Sequence, residues 1–175
     1  EVFENNPNNS LALTLYAQAM YHQLFSIGLP FKDYAVVEEA ISKAIQLDTK
    51  NSLAYPLMAQ IKRNMMGDYS MDFEEVTRKG FKSDPENYET IIQVAHNLVY
   101  ISKFPEAITL YKKALKVAPH GPLPVRLFLL KAYAESGEPE VSEELAKELI
   151  SQDETHKKFW GTVFYTSLLY EKNKV

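Results

Sequence analysis

Between positions 88 and 121 the small and apolar residues recur at spacings that a pair of consecutive helices accommodates. Ile91, Val94, Ala95 and Leu98 fall on one helical stripe, and Ala107, Tyr111, Ala114 and Pro119 make a second. Residues three and four apart share a helix face, so each stripe is a surface that must be covered. Ala95 puts a small residue where two helices of such a pair cross closely.

The same register recurs along the chain. In 10–49 the corresponding positions are Leu13, Tyr16, Ala17 and Met20, then Val37, Ile41 and Ala44. Gly28, Leu29 and Pro30 stop the first helix there, and the second begins near Asp33. Ser10 is expected to cap the first helix, which runs to Ile27. In 52–85 the positions are Tyr55, Met58, Ala59 and Lys62, then Phe73, Thr77 and Gly80 before Pro85. A glycine inside a helix costs about 1 kcal/mol relative to alanine, so Gly80 implies tight packing rather than helix propensity. The unit 122–154 is looser: Leu129, Leu130 and Tyr133 precede Gly137, a helix from Pro139 to Ser151 carries Val141, Leu145, Leu149 and Ile150, and Ser142 and Leu149 stand where 88–121 has Ala107 and Ala114. Pro105 and Pro124 fit first helical turns, where a missing N–H does no harm.

These positions resemble the tetratricopeptide (TPR) repeat, a 34-residue helix-turn-helix unit. The resemblance implies an all-α fold: a right-handed α-solenoid of antiparallel helix pairs, a TPR-like superhelix of about four repeats plus a C-terminal capping helix. Residues 1–7 then read as the end of a truncated upstream repeat, and 155–175, with Trp160, Val163 and Phe164, as the cap. With no Met at its start and no signal-peptide pattern, the chain reads as a fragment of something larger. An array cut inside a repeat leaves an apolar side partly covered, so a weak homo-oligomer is also expected.

The order of the long first turn, Ala40-Ile41-x-x-Ala44-Ile45-x-Leu47-Asp48, Met66-Gly67-Asp68, Asp84-Pro85 and Phe104-x-Glu106-Ala107 is similar to the C-terminal TPR regions of certain bacterial regulators. There the repeats follow a class III adenylate cyclase domain or a winged-helix domain of the CadC and ToxR type. This resemblance implies a non-catalytic interaction or ligand-sensing module in a signalling or transcription-regulatory protein, or a structural assembly module of a cyclase-type protein. It also implies a cytoplasmic location, or a periplasmic one for a membrane-anchored parent.

Composition narrows the chemistry. A net charge of −4 argues against a nucleic-acid surface. The chain has no cysteine, which removes disulfides, thiol chemistry and cysteine-based zinc sites. No apolar run approaches the roughly 20 residues of a membrane span. His22, His96, His120 and His156 lack the spacing of a helical zinc site. The acidic run Asp68, Asp72, Glu74, Glu75 fails as a calcium loop, with Phe73 and Lys79 where glycine and glutamate are needed. No phosphate-binding loop or nucleophile elbow occurs, so neither an enzyme nor a cofactor is expected.

What remains is a groove. In TPR proteins the first helix of each unit lines the concave side, and positions one turn past the small residue face into it. That resemblance selects Gln18, Tyr21, His22, Gln60, Arg63, Asn64, His96, Tyr100 and Lys131 as candidate binding residues for a protein or peptide partner. Arg63 is the residue singled out for a carboxylate, its donors forming a fork. The positions used by carboxylate-clamp TPRs for chaperone tails hold Thr14, Pro56, Ile92 and Leu127, which argues against that ligand.

Overall fold

A computed structural model describes residues 8–27, 34–65, 72–119 and 123–151. Eight α-helices and no strand occur among them: α1 (Ser10–Ile27), α2 (Tyr34–Leu47), α3 (Ala54–Gln60), α4 (Phe73–Ser83), α5 (Tyr88–Tyr100), α6 (Phe104–Val117), α7 (Leu123–Glu135) and α8 (Pro139–Ser151). α3 runs on into a π-helical turn, Ile61–Met65. The expected upstream stub (1–7), the first-turn insertion (28–33), the Gly67-Asp68 turn, His120, Pro122 and the capping helix with Trp160, Val163 and Phe164 lie outside the described residues. Contacts gather into two units, Glu1–Asn97 and Leu98–Val175.

In the first unit α1 packs on α2, α2 on α3, and α3 on α4. The apolar stripes supply the reason: Leu13, Ala17, Val37, Ile41, Ala44, Leu57 and Ile61 are all buried in one core. Polar groups close the gaps at its edge. Asn51 Nδ2 donates to Ser10 Oγ at 2.7 Å and to Thr14 Oγ1 at 2.9 Å, while Ser10 Oγ donates to the Ala44 carbonyl at 2.8 Å. This clasp joins α1, the end of α2 and the approach to α3. It also corrects the expected cap. Ser10 is turned inward as a donor, and Asn9 Oδ1 instead accepts from the Ala12 N–H at 2.9 Å. Asp72 caps α4 in the same way, accepting from the Glu75 N–H at 2.8 Å.

Two further features bind the first unit. Gly80 is buried on α4 beside Ser52 and Pro56, which shows the close packing that its sequence position implied. Asn97 on α5 is fully buried, and its Nδ2 donates to the Pro56 carbonyl and to Thr77 Oγ1, both at 2.9 Å. One side chain thereby ties α5 to α3 and α4. Ser52 and Thr90 hydroxyls, buried 2.8 Å apart, add a second link from α3's approach to α5.

In the second unit α6 packs on α7 and α7 on α8. Ala107, Tyr111 and Ala114 are fully buried on α6. The buried stripe of α8 is Ser142, Ala146 and Leu149; Val141, Leu145 and Ile150, expected on that stripe, are only half-buried. The helix is rotated so that its small residues face inward. Ser142 fits where alanine is usual because its hydroxyl donates to the Leu130 carbonyl at 2.8 Å. The chain leaves α7 through Gly137, whose φ is +87°, with the Glu138 N–H donating to the Tyr133 carbonyl at 3.0 Å, the closure a left-handed residue permits.

Candidate functional site

Three first helices of the first unit carry most of the selected residues. α1 supplies Gln18, Tyr21 and His22, the turn after α3 supplies Arg63 and Asn64, and α5 supplies His96. A π-helical turn admits one extra residue between hydrogen-bonded groups and changes the direction in which its side chains leave the helix. Arg63 and Asn64 sit inside that turn.

Asn64 Nδ2 donates to the Tyr21 hydroxyl at 3.1 Å, so the turn is fastened to α1 by two of the selected residues. Tyr21 is otherwise buried in the core, its ring edge-on to His22 with centroids 5.4 Å apart. His22 keeps an exposed edge, and partial withdrawal of its ring from water lowers its pKa. His96 is held down to about 4, chiefly by burial of the ring and secondarily by the His22 charge. Both imidazoles are therefore neutral at pH 7, and the pair offers donor and acceptor nitrogens without charge.

The remaining selected residues are placed differently. The Arg63 guanidinium carbon lies 4.9 Å from the centre of the Phe73 ring on α4, and the side chain is half-buried. Gln60 is buried, because α3 is enclosed on every side: all seven of its residues are buried. Gln18 is half-buried on α1. Tyr100 and Lys131 belong to the second unit, Tyr100 at 44% exposure and Lys131 3.6 Å from Glu135 one turn on.

Sequence reasoning overlooked several residues that shape this region. Phe73 is the platform for Arg63, and Glu38 on α2 takes Lys62 in a half-buried ion pair. Asn51 and Asn97 are the polar fasteners. Asparagine is a poor helix former, so Asn97 in mid-helix was the available signal. Phe73 and Glu38 carried none, since their roles depend on segments brought together only by folding. Among the described residues no three His, Cys, Asp or Glu side chains gather as a metal site would require. No described helix is long and apolar enough to cross a membrane.

No protein-family model and no curated protein matches this chain. Solved structures do. TTC0263, a thermophilic TPR protein of Thermus thermophilus, is similar with a TM-score of 0.69 at 15% identity, covering 96% of this chain and 85% of that one. YrrB, a TPR protein with an unusual peptide-binding site, gives 0.56 at 16% identity over 98% of this chain and 82% of its own. MamA gives 0.54 at 18% identity over 83% and 73%. The fold is thus the all-α, TPR-like solenoid of paired helices.

Proposed function

We propose that this chain is a non-catalytic module that binds a peptide segment of a protein partner on the polar side of α1, the turn after α3, and α5. The observation that carries this is the junction of Tyr21, His22, Asn64 and His96, which draws groups from three first helices to one place. Amide, imidazole and phenol side chains can exchange hydrogen bonds with a peptide backbone at little cost in charge desolvation. Arg63 sits next to Asn64 and leans on Phe73. A guanidinium restrained in this way has fewer orientations to lose on binding a carboxylate. The partner segment is therefore acidic or ends in a free C-terminus. YrrB, whose fold this chain shares, has a peptide-binding site of its own, and the likeness supports a binding reading of the fold.

The experiment is fluorescence anisotropy with labelled peptides, acidic ones with free C-termini against basic, C-amidated ones. Acidic peptides should bind more tightly, and His22→Ala with Arg63→Ala should weaken them about tenfold or more. Neither side chain belongs to the first unit's apolar core, so the helical circular dichroism should be unchanged. Equal affinity in wild type and double variant would move the working surface elsewhere.

The module is the regulatory part of a larger bacterial signalling or transcription-regulatory protein; the resemblance of the first turn and of the Phe104-x-Glu106-Ala107 segment to such regulators supports this. A gene encoding neither a cyclase nor a winged-helix domain beside this region would overturn it. A second reading, an assembly module, is favoured by Leu11 and Leu15, one turn apart on α1 and 56% and 50% exposed. Light scattering separates the two: Leu11→Glu with Leu15→Glu should abolish any self-association and leave peptide affinity intact.

A further inference from the structure

α1 carries no Asp, Glu, Lys or Arg in its 18 residues. α3 is uncharged too, but all seven of its residues are buried, as an uncharged helix requires. α1 keeps an open face instead: Leu11 is 56% exposed and Leu15 50%, and Ala19 is exposed one turn further on. Leu11, Leu15, Gln18 and His22 follow one another at spacings of four, three and four residues, which holds them on one line of the helix. That line is roughly 16 Å long at 1.5 Å per residue. The two leucines and two of the residues assigned to the peptide therefore share one surface, and an occupant lying along it covers both.

The surface selects its occupant by what it lacks. A charged segment finds no ion to pair with on α1, whereas an identical helix meets no repulsion there, although the chain as a whole carries −4. Size matching sets the register. Antiparallel pairing about a two-fold axis through Leu15 puts Leu15 against its own copy and seats Leu11 of each chain over the small Ala19 of the other. The same register brings Gln18 opposite Ala12, and His22 opposite Asn8.

We propose that a second copy of this chain docks antiparallel on the Leu11 and Leu15 face of α1 and masks the peptide surface, so that self-association and peptide binding exclude each other. The inference rests on the peptide reading above and adds its regulation. A contact made by one helix of each chain falls short of the about 1,200 Å² at which specific interfaces become stable, which suits a reversible mask. Saturating peptide then draws the population to the monomer by mass action.

Because the chain has no cysteine, a single engineered thiol reports the contact. Leu15→Cys, on the axis, should close a disulfide between two chains under mild oxidation, whereas Leu47→Cys, on α2 and 44% exposed in the wild type, should not. Anisotropy with the labelled acidic peptide bearing a free C-terminus should then read binding to the locked Leu15→Cys dimer weakened about tenfold or more, with reductant restoring it. Light scattering of the unaltered chain should give a mass that rises with concentration and returns to the monomer when this peptide is added, but not when the basic, C-amidated one is. Cross-linking of Leu15→Cys no faster than of Leu47→Cys, or a locked dimer that takes the peptide as tightly as the reduced protein, would overturn the proposal. Reduced protein that binds no acidic peptide would overturn the peptide reading itself and the masking with it, even where cross-linking places the contact at Leu15.

Discussion

A methyl group at Gly80 would stand 2.4 Å from the Ser52 carbonyl oxygen and 2.6 Å from Pro56 Cδ, and the first of these is backbone that cannot step aside. Gly80→Ala should therefore cost about 1–3 kcal/mol through overpacking, even though alanine gains about 1 kcal/mol in helix propensity. A urea melt with an unchanged or raised midpoint would contradict the close packing. His96 gives a second prediction at this scale. Its pKa falls on folding from 6.5 to about 4, so the unfolded chain takes up a proton first as pH drops. Its contribution to stability is complete above about pH 6.5 and declines as pH falls towards 4, by at most about 3 kcal/mol. His22, also lowered, acts in the same direction. His96→Gln should flatten the acid decline in melts taken between these limits; an unaltered decline would assign it to other groups. Neither number could be read in the sequence. Gly80 announced crowding by its position, whereas His96 was legible as a groove position but its withdrawal from water was not, since that comes from the helices that surround it.

Helix ends and helix faces set the next scale. α5 and α7 close by the same backbone device with different residues. After α5, Ser102 takes φ +59° and the Lys103 N–H reaches the Leu98 carbonyl at 2.9 Å; after α7, Gly137 does this at φ +87°. A side chain in that region is strained and glycine is not. Ser102→Gly should thus stabilise by up to about 1 kcal/mol, and Gly137→Ala should destabilise by a similar amount. Equal melting temperatures for the two variants would show that these turns relax. Ala95, fully buried in α5, should not accept Leu without a loss of about 1–3 kcal/mol, measurable in the same melts. The existence of these helices and most of their boundaries were legible from spacing, Pro105 and Gly137 included. The facing of α8 was not, because its apolar and small residues define two stripes of nearly equal merit. Burial of Ser142 tipped the choice, and that depended on the Leu130 carbonyl waiting on another helix.

At the scale of the whole chain, contacts gather into two units. In repeat proteins each element leans on its neighbours, so a local defect weakens what is near it first. Hydrogen exchange on Gly80→Ala should therefore rise in α1 to α4 more than in α7 and α8. A uniform rise across all eight helices would mean that the chain unfolds as one cooperative body. By itself the sequence determined the all-helical class, the pairing period and the small positions, because those follow from which residues recur three and four apart. Tertiary structure decided what the polar residues do. Periodicity placed Gln60 beside Arg63 and Asn64 as equals, yet Gln60 is buried, Asn64 is bonded to Tyr21, and Arg63 rests on Phe73. A helical repeat tells which face a side chain leaves from. The partner it meets comes from a segment far away in the chain, and in this protein a π-helical turn redirects the side chains of Arg63 and Asn64 before that meeting occurs.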